Sequence, residues 1–291
     1  MTSTKDQVAL QTKAAASGPA IASLLVHAEP AARATTRVHA AAVLARDLGA
    51  RLIGLGAETF DPTPTVDPFF GYAAGEWVSL VQEQINADLK AAEAAFRRDA
   101  AGADVEWRSV QAFPARAMAS VARAADLIVA SPRSRLGPSL CADPAELVMH
   151  AGRPVLIVPE GGAAPKGRAV VVAWKDTREA RRAVADAMPF LARAKDVIVA
   201  AVCDDDAIEE ARFQAEDVAA SLQRHGVAAR AHVSTSAPEG VAQELAKIAG
   251  ANGADLIACG AYGHNRVAEW AFGGVTDELI HRPPCCVLLS H

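Results

Sequence analysis

Two ten-residue stretches, ADLIVASPRS (Ala125–Ser134) and ADLIACGAYG (Ala254–Gly263), decide the fold, because they set the same short strand and turn in each half of a 291-residue chain. The match continues downstream, where AELVMHAGRPVLIV lies against DELIHRPPCCVLLS. Working outward from these anchors, the first half reads as strands at Ile21–Glu29, Arg51–Glu58, Val105–Val110, Asp126–Ala130 and within Arg153–Glu160, with helices over Ala31–Leu48, Val78–Arg98 and Ala115–Ala124. The second half repeats the order: strands at Arg168–Trp174, Asp196–Val202, Val227–Thr235, Asp255–Cys259 and Cys286–Ser290. Its helices start at a capping box of Asp176 and Glu179, at Asp206, at Pro238 and at Thr276, and the second of them is closed by Gly226. Strands alternating with helices imply an α/β fold with right-handed crossovers, here two tandem Rossmann-like domains, each a five-stranded, mainly parallel sheet with helices on both faces. The expected boundaries are a disordered tail at 1–19, a domain at 20–160, the linker GGAAPKG at 161–167 and a second domain at 168–291.

Composition excludes several classes of function. Hydrophobic residues make up 51% of the chain and aromatic ones only 5%, so the cores are built from Ala, Val, Leu and Ile, which suits helices packed on a parallel sheet. A net charge of −5, with no stretch mixing basic and aromatic residues, argues against nucleic acid as a partner. The five cysteines (Cys141, Cys203, Cys259, Cys285 and Cys286) have neither the even count of a secreted scaffold nor zinc-finger spacing, and read as reduced, buried thiols. Adjacent Cys285 and Cys286 point to opposite faces of a strand, which disfavours a joint redox or metal role. No run has the length of a signal peptide core or a membrane span, so a cytoplasmic location without membrane contact is expected. One connection is rich in aromatic residues, with Phe60, Phe69, Phe70, Tyr72 and Trp77, and reads as a flap over the sheet edge or as a binding loop.

Chemistry concentrates between the fourth strand of the second half and the helix after it. Gly260 and Gly263 are expected to take positive φ in a tight loop. Gly273 and Gly274 let backbone N–H groups approach a ligand where a helix begins, and such a loop after a parallel strand favours phosphate. Nothing at the loop suggests hydrolysis: no serine, histidine and acid in sequence, no metal-ligand cluster and no paired carboxylates. His264 and Arg266 lie inside it, either neutralising phosphate or solvated. The run Asp204, Asp205 and Asp206 reads as negative charge at a helix start rather than as a Mg²⁺ site.

The spacing of Gly260, Gly263 and Gly273 resembles the G-x2-G-x9-G-(S/T) signature of the universal stress protein family, and the resemblance extends unevenly over both halves. It implies an adenine nucleotide alpha hydrolase-like fold and an adenine nucleotide, ATP or AMP with Mg²⁺, as ligand. Carried over residue by residue, it places the nucleotide among Ala173, Trp174, Lys175, Val202, Cys259, Gly260, Gly263, Gly273, Gly274, Val275 and Thr276. Two positions depart from the family. Gly274 stands where a serine or threonine is usual, and Lys175 where an aspartate commonly fixes the adenine or ribose. Lys175 either reaches toward phosphate or is solvated, and Trp174 either stacks on a base or belongs to the core. In the first half Ser131 and Ser134 replace the two glycines, and the loop is shorter, which marks a degenerate copy. The resemblance further implies a stress-response regulator or protective protein, at most a slow ATPase or self-phosphorylating one. It also implies pairing through the fifth strands, in a homodimer or internally. The alternative is an interaction protein of the same fold that binds no nucleotide and acts through dimerisation.

Overall fold

The computed structural model describes residues 21–29, 32–60, 71–134, 137–235, 240–263 and 274–291, with backbone alone at 32–33 and 71–76. The first half runs β1 (Ser23–His27), α1 (Ala32–Leu48), β2 (Arg51–Glu58), α2 (Gly71–Asp99), β3 (Val105–Gln111), α3 (Pro114–Val121), β4 (Leu127–Ala130), α4 (Pro144–His150) and β5 (Val155–Ile157). The second runs β6 (Ala169–Trp174), α5 (Arg178–Leu191), β7 (Asp196–Cys203), α6 (Ile208–Arg224), β8 (Ala229–Thr235), α7 (Val241–Ala251), β9 (Leu256–Gly260), α8 (Gly274–His281) and β10 (Cys286–Ser290).

The two five-stranded sets join into one ten-stranded sheet of order β3-β2-β1-β4-β5-β10-β9-β6-β7-β8. Every pairing within a half is parallel. The join is antiparallel, with Val287 opposite Ile157 and Leu289 opposite Val155. The inner strands β4, β5 and β10 are buried along their whole length, which is why they read as unbroken apolar runs. Alternate residues serve two cores. Leu24, Leu127, Val170 and Leu256 pack under α1, α2, α5 and α6, whereas Leu25, Ile128, Val171 and Ile257 pack under α3, α4, α7 and α8.

The shared ADLI stretch explains itself in the same terms. Its aspartate ties the start of each half to the fourth strand: Asp126 Oδ2 accepts from the Ala22 amide at 2.9 Å, and Asp255 Oδ2 from the Lys166 amide at 2.8 Å. No disulfide joins the cysteines. No helix of the described residues is long and apolar enough to cross a membrane.

Several local expectations are corrected. Helix α2 begins at Gly71, seven residues before the expected Val78, so Trp77 is helical and stands edge-on to Phe60 at 4.7 Å. The rest of that connection, and the N-terminal tail, lie outside the described residues. Helix α4 was not foreseen in the first half. The cap of α5 is Thr177, not Asp176: Thr177 has an extended backbone and accepts from the Ala180 amide at 3.2 Å, while Asp176 pairs with Arg181 one residue outside the helix. Helix α7 starts at Val241 behind Gly240, whose φ is +99°, and Pro238 lies outside the described residues. Helix α8 starts at Gly274 rather than Thr276.

Candidate functional site

In the second half, β6 is flanked by β7 on one side and β9 on the other, with Ala173 opposite both Ala200 and Cys259. The direction of chain crossover reverses between β6 and β9, and the carboxyl ends of such a strand pair form the crevice in which α/β sheets hold ligands. Ala173, Val202, Cys259 and Val275 all belong to the apolar group beneath α7 and α8, together with Tyr262. Trp174 is separated from them and packs with the opposite core, because successive strand residues face opposite sides. Lys175 and Asp176 follow the strand end and are exposed.

The glycines act differently from expectation. Neither Gly260 nor Gly263 has a positive φ; the left-handed residue is Tyr262, at φ 59°. What Gly260 supplies is close approach, since a Cβ there would lie 2.5 Å from the Ala180 nitrogen and 2.5 Å from the Glu179 carbonyl carbon. The start of α5 therefore rests directly on the end of β9. At Gly263 a Cβ would come within 2.9 Å of Glu179 Oε2 and 3.4 Å of Thr177 Oγ1. Gly274 is the reverse case: as the first residue of α8, it has nothing among the described residues within 4 Å of an added Cβ. Thr276 is buried in the first turn of that helix. Gly273, His264 and Arg266 lie outside the described residues.

Thr177 and Glu179 are thus part of the loop's floor. The capping motif pointed at α5, but nothing local linked it to the glycines. Burial alone would raise the Glu179 carboxyl, yet a hydrogen bond from its own backbone amide and the neighbouring Arg178 hold it below its ordinary value. Burial pushes the Cys259 thiol up to about 12, so it lines the crevice as an apolar group. Cys285 and Cys286 are likewise pushed up to about 12 by burial, and Cys286 Sγ donates to the Ala163 carbonyl at 3.3 Å. Among the described residues no cluster of His, Cys, Asp and Glu is suited to a metal. Asp205 and Asp206 form a 3-10 turn leading into α6.

The equivalent place in the first half is filled by the chain's own side chains. Leu24 pairs with Leu127 as Val170 pairs with Leu256, which sets His27 at the position of Ala173 and Glu29 at that of Lys175. The acid that the family resemblance expects at position 175 is therefore present in the other half. It is buried and bound: the Arg37 guanidinium pairs with Glu29, donates to the His27 carbonyl at 3.0 Å through Nε, and reaches Ser131 Oγ at 2.8 Å. His27 Nδ1 lies 3.2 Å from Glu29 Oε2, and Nε2 faces the Ala57 carbonyl at 3.0 Å. Burial raises the Glu29 carboxyl, but Arg37 and His27 outweigh it and hold it down at about 2. The first turn of α4 is closed in the same spirit, with Asp143 accepting from the Ala145 amide at 2.9 Å.

Residues 167–291 match the model of the Universal stress protein family. No protein of curated function matches the chain in sequence. Among solved structures, a universal stress protein from Archaeoglobus fulgidus aligns with 92% of this chain and 95% of its own, at 14% identity and a TM-score of 0.61. A putative universal stress protein from Pseudomonas aeruginosa aligns over 94% of both chains, at 18% identity and a TM-score of 0.57. A universal stress protein in complex with cAMP aligns over 96% of its length and 47% of this chain, at 22% identity and a TM-score of 0.30. At these identities the first two structural matches establish the fold.

Proposed function

Residues 167–291 match the Universal stress protein family model, and from that match we propose that the chain is a cytoplasmic regulatory or protective protein that binds an adenine nucleotide in its second half. The observation that carries this reading is the meeting of Ala173 and Cys259 at the carboxyl ends of β6 and β9, where the strand order reverses. The adenosine would lie over Ala173, Val202 and Cys259. Backbone amides from Gly260 to Gly263 and from Gly273, Gly274, Val275 and Thr276 would take the phosphates, as helix starts commonly do. Lys175, exposed at the strand end, would supply charge, with Mg²⁺, in place of the family's aspartate. Trp174 would support the strand from the far side. No general base is assigned, so turnover is expected to be slow or nil.

The test is thermal unfolding of the full chain with and without ATP–Mg²⁺ or AMP. A ligand at 100 times its dissociation constant stabilises by about 2.7 kcal/mol. Gly274→Val is the informative variant, because an added side chain there meets none of the described residues yet would stand over a phosphate at the start of α8. A shift in the parent that the variant loses supports the reading. No shift at millimolar ligand removes the nucleotide.

A second reading, an interaction protein that binds no nucleotide and works through self-association, is favoured by the exposed Trp77, Val78 and Leu80 on α2. A strictly monomeric species in light scattering, unchanged by Trp77→Ser and Leu80→Ser, would remove it.

A further inference from the structure

The seam between the halves is closed on one side by a single arginine. Arg133, in the turn after β4, donates its backbone amide to the Ile280 carbonyl of α8 at 3.1 Å. Its guanidinium spans two carboxylates from different halves, with Nε on Asp143 at 3.1 Å and 3.2 Å and Nη1 on Asp277 of α8 at 3.2 Å. Asp143 is itself engaged in capping α4. Tyr262, in the glycine turn of the second half, lies within electrostatic reach of Arg133, Asp143 and Asp277.

Helix α8 needs such contacts. It has only eight residues, too few to be stable in water by its own hydrogen bonds. It is held by the core, by Gln243 of α7, which donates to Glu278 at 2.6 Å, and by Arg133 from the other half. Asp277 lies in the first turn of α8, next to Thr276, whose amide would receive phosphate. Through Arg133 the first half therefore reaches the helix that follows the candidate nucleotide loop.

We propose that Arg133 is a positioning residue for the second half's site: it fixes α8 from across the seam, so that ligand binding in one half is felt in the other. The part concerning ligand rests on the nucleotide reading above; the part concerning α8 does not. Because the Arg133 and Asp277 side chains are 28% and 37% exposed, the pair contributes little to global stability, and its effect is local.

The experiment is amide hydrogen exchange on the full chain, read by peptide, for the parent, Arg133→Gln, Arg133→Lys, Asp277→Asn and the double variant Arg133→Gln/Asp277→Asn. Without ligand, Arg133→Gln and Asp277→Asn should each speed exchange in 274–281 by about fivefold, the double variant should go no further than either, and Arg133→Lys should restore part of the protection. Unchanged exchange in 274–281 in Arg133→Gln overturns the proposal whether or not nucleotide binds, as does a double variant whose effects simply add. With ATP–Mg²⁺, the parent should gain protection in 131–134 as well as in 274–281, and Arg133→Gln should lose the first while keeping part of the second. Protection confined to 274–281 in the parent overturns the coupling between halves. If ATP–Mg²⁺ protects nothing in the parent, the nucleotide reading and the coupling fail together, while the ligand-free comparison still decides the positioning role.

Discussion

At the carboxyl end of its first strand each half carries a charge, and the two are used in opposite ways. Glu29 turns inward and is locked between Arg37 and His27, so that the first half's crevice holds its own ion pair. Lys175, at the matching position, stays in solvent beside a crevice lined by Ala173, Val202 and Cys259. The lesson is that a repeat can keep its backbone and invert its chemistry with a few side chains. Losing the ligand's place means filling it, because a buried carboxylate without Arg37 would be too costly to keep.

The largest effect that tests this contrast is Glu29→Gln, which leaves Arg37 buried without its anion. It should cost about 3–5 kcal/mol in urea unfolding, whereas Lys175→Gln should stay within about 0.5 kcal/mol. Similar losses at the two positions would break the comparison. Acid titration sharpens it. A carboxyl held at about 2 instead of 4.5 adds stability that is complete above pH 4.5 and is lost as pH falls toward 2, about 3 kcal/mol at about 1.36 kcal/mol per pH unit. That limb of the urea midpoint against pH should be absent in Glu29→Gln and intact in Lys175→Gln.

The glycines come next. Gly260→Ala forces a Cβ against the backbone of α5 and should cost about 1–3 kcal/mol, while Gly274→Ala, which meets none of the described residues at its helix start, should change stability by less than about 0.5 kcal/mol. Equal effects would mean that Gly260 is not a packing glycine. The smallest difference separates two candidate caps: Thr177→Ala should cost about 1 kcal/mol, and Asp176→Ala, which loses only an exposed ion pair, less than about 0.5 kcal/mol in the same assay.

The sheet was legible because its central strands are apolar on both faces and because ADLI occurs twice; a parallel α/β arrangement follows from those runs with little help. The start of α2 was not legible, since Gly71 and Gly75 with their aromatic neighbours have the composition of a loop, yet the helix runs through them. At the candidate site, the residues at the strand ends could be placed by register alone. The reason for Gly260 could not, because its neighbours Glu179 and Ala180 lie about eighty residues earlier and meet it only when α5 lands on β9. Glu29 and Arg37 have an ordinary spacing, and only their burial distinguishes them from a solvated pair. The contact of Arg133 with Asp277 spans 144 residues and leaves no trace in either neighbourhood.

The antiparallel join of β5 to β10 makes an approximate twofold axis out of a covalent chain. In an assembly of two identical subunits, any substitution beside such an axis appears twice, and a residue that helps one copy must be tolerated in the other. Here each position is independent. Arg133 and Asp277 can pair across the axis because their mates, Tyr262 and Ala145, carry no matching charges. The two halves also meet at a local concentration fixed by their tether rather than by expression level, so dilution does not separate them. Fusion thereby lets the two halves differ where a symmetric dimer could not.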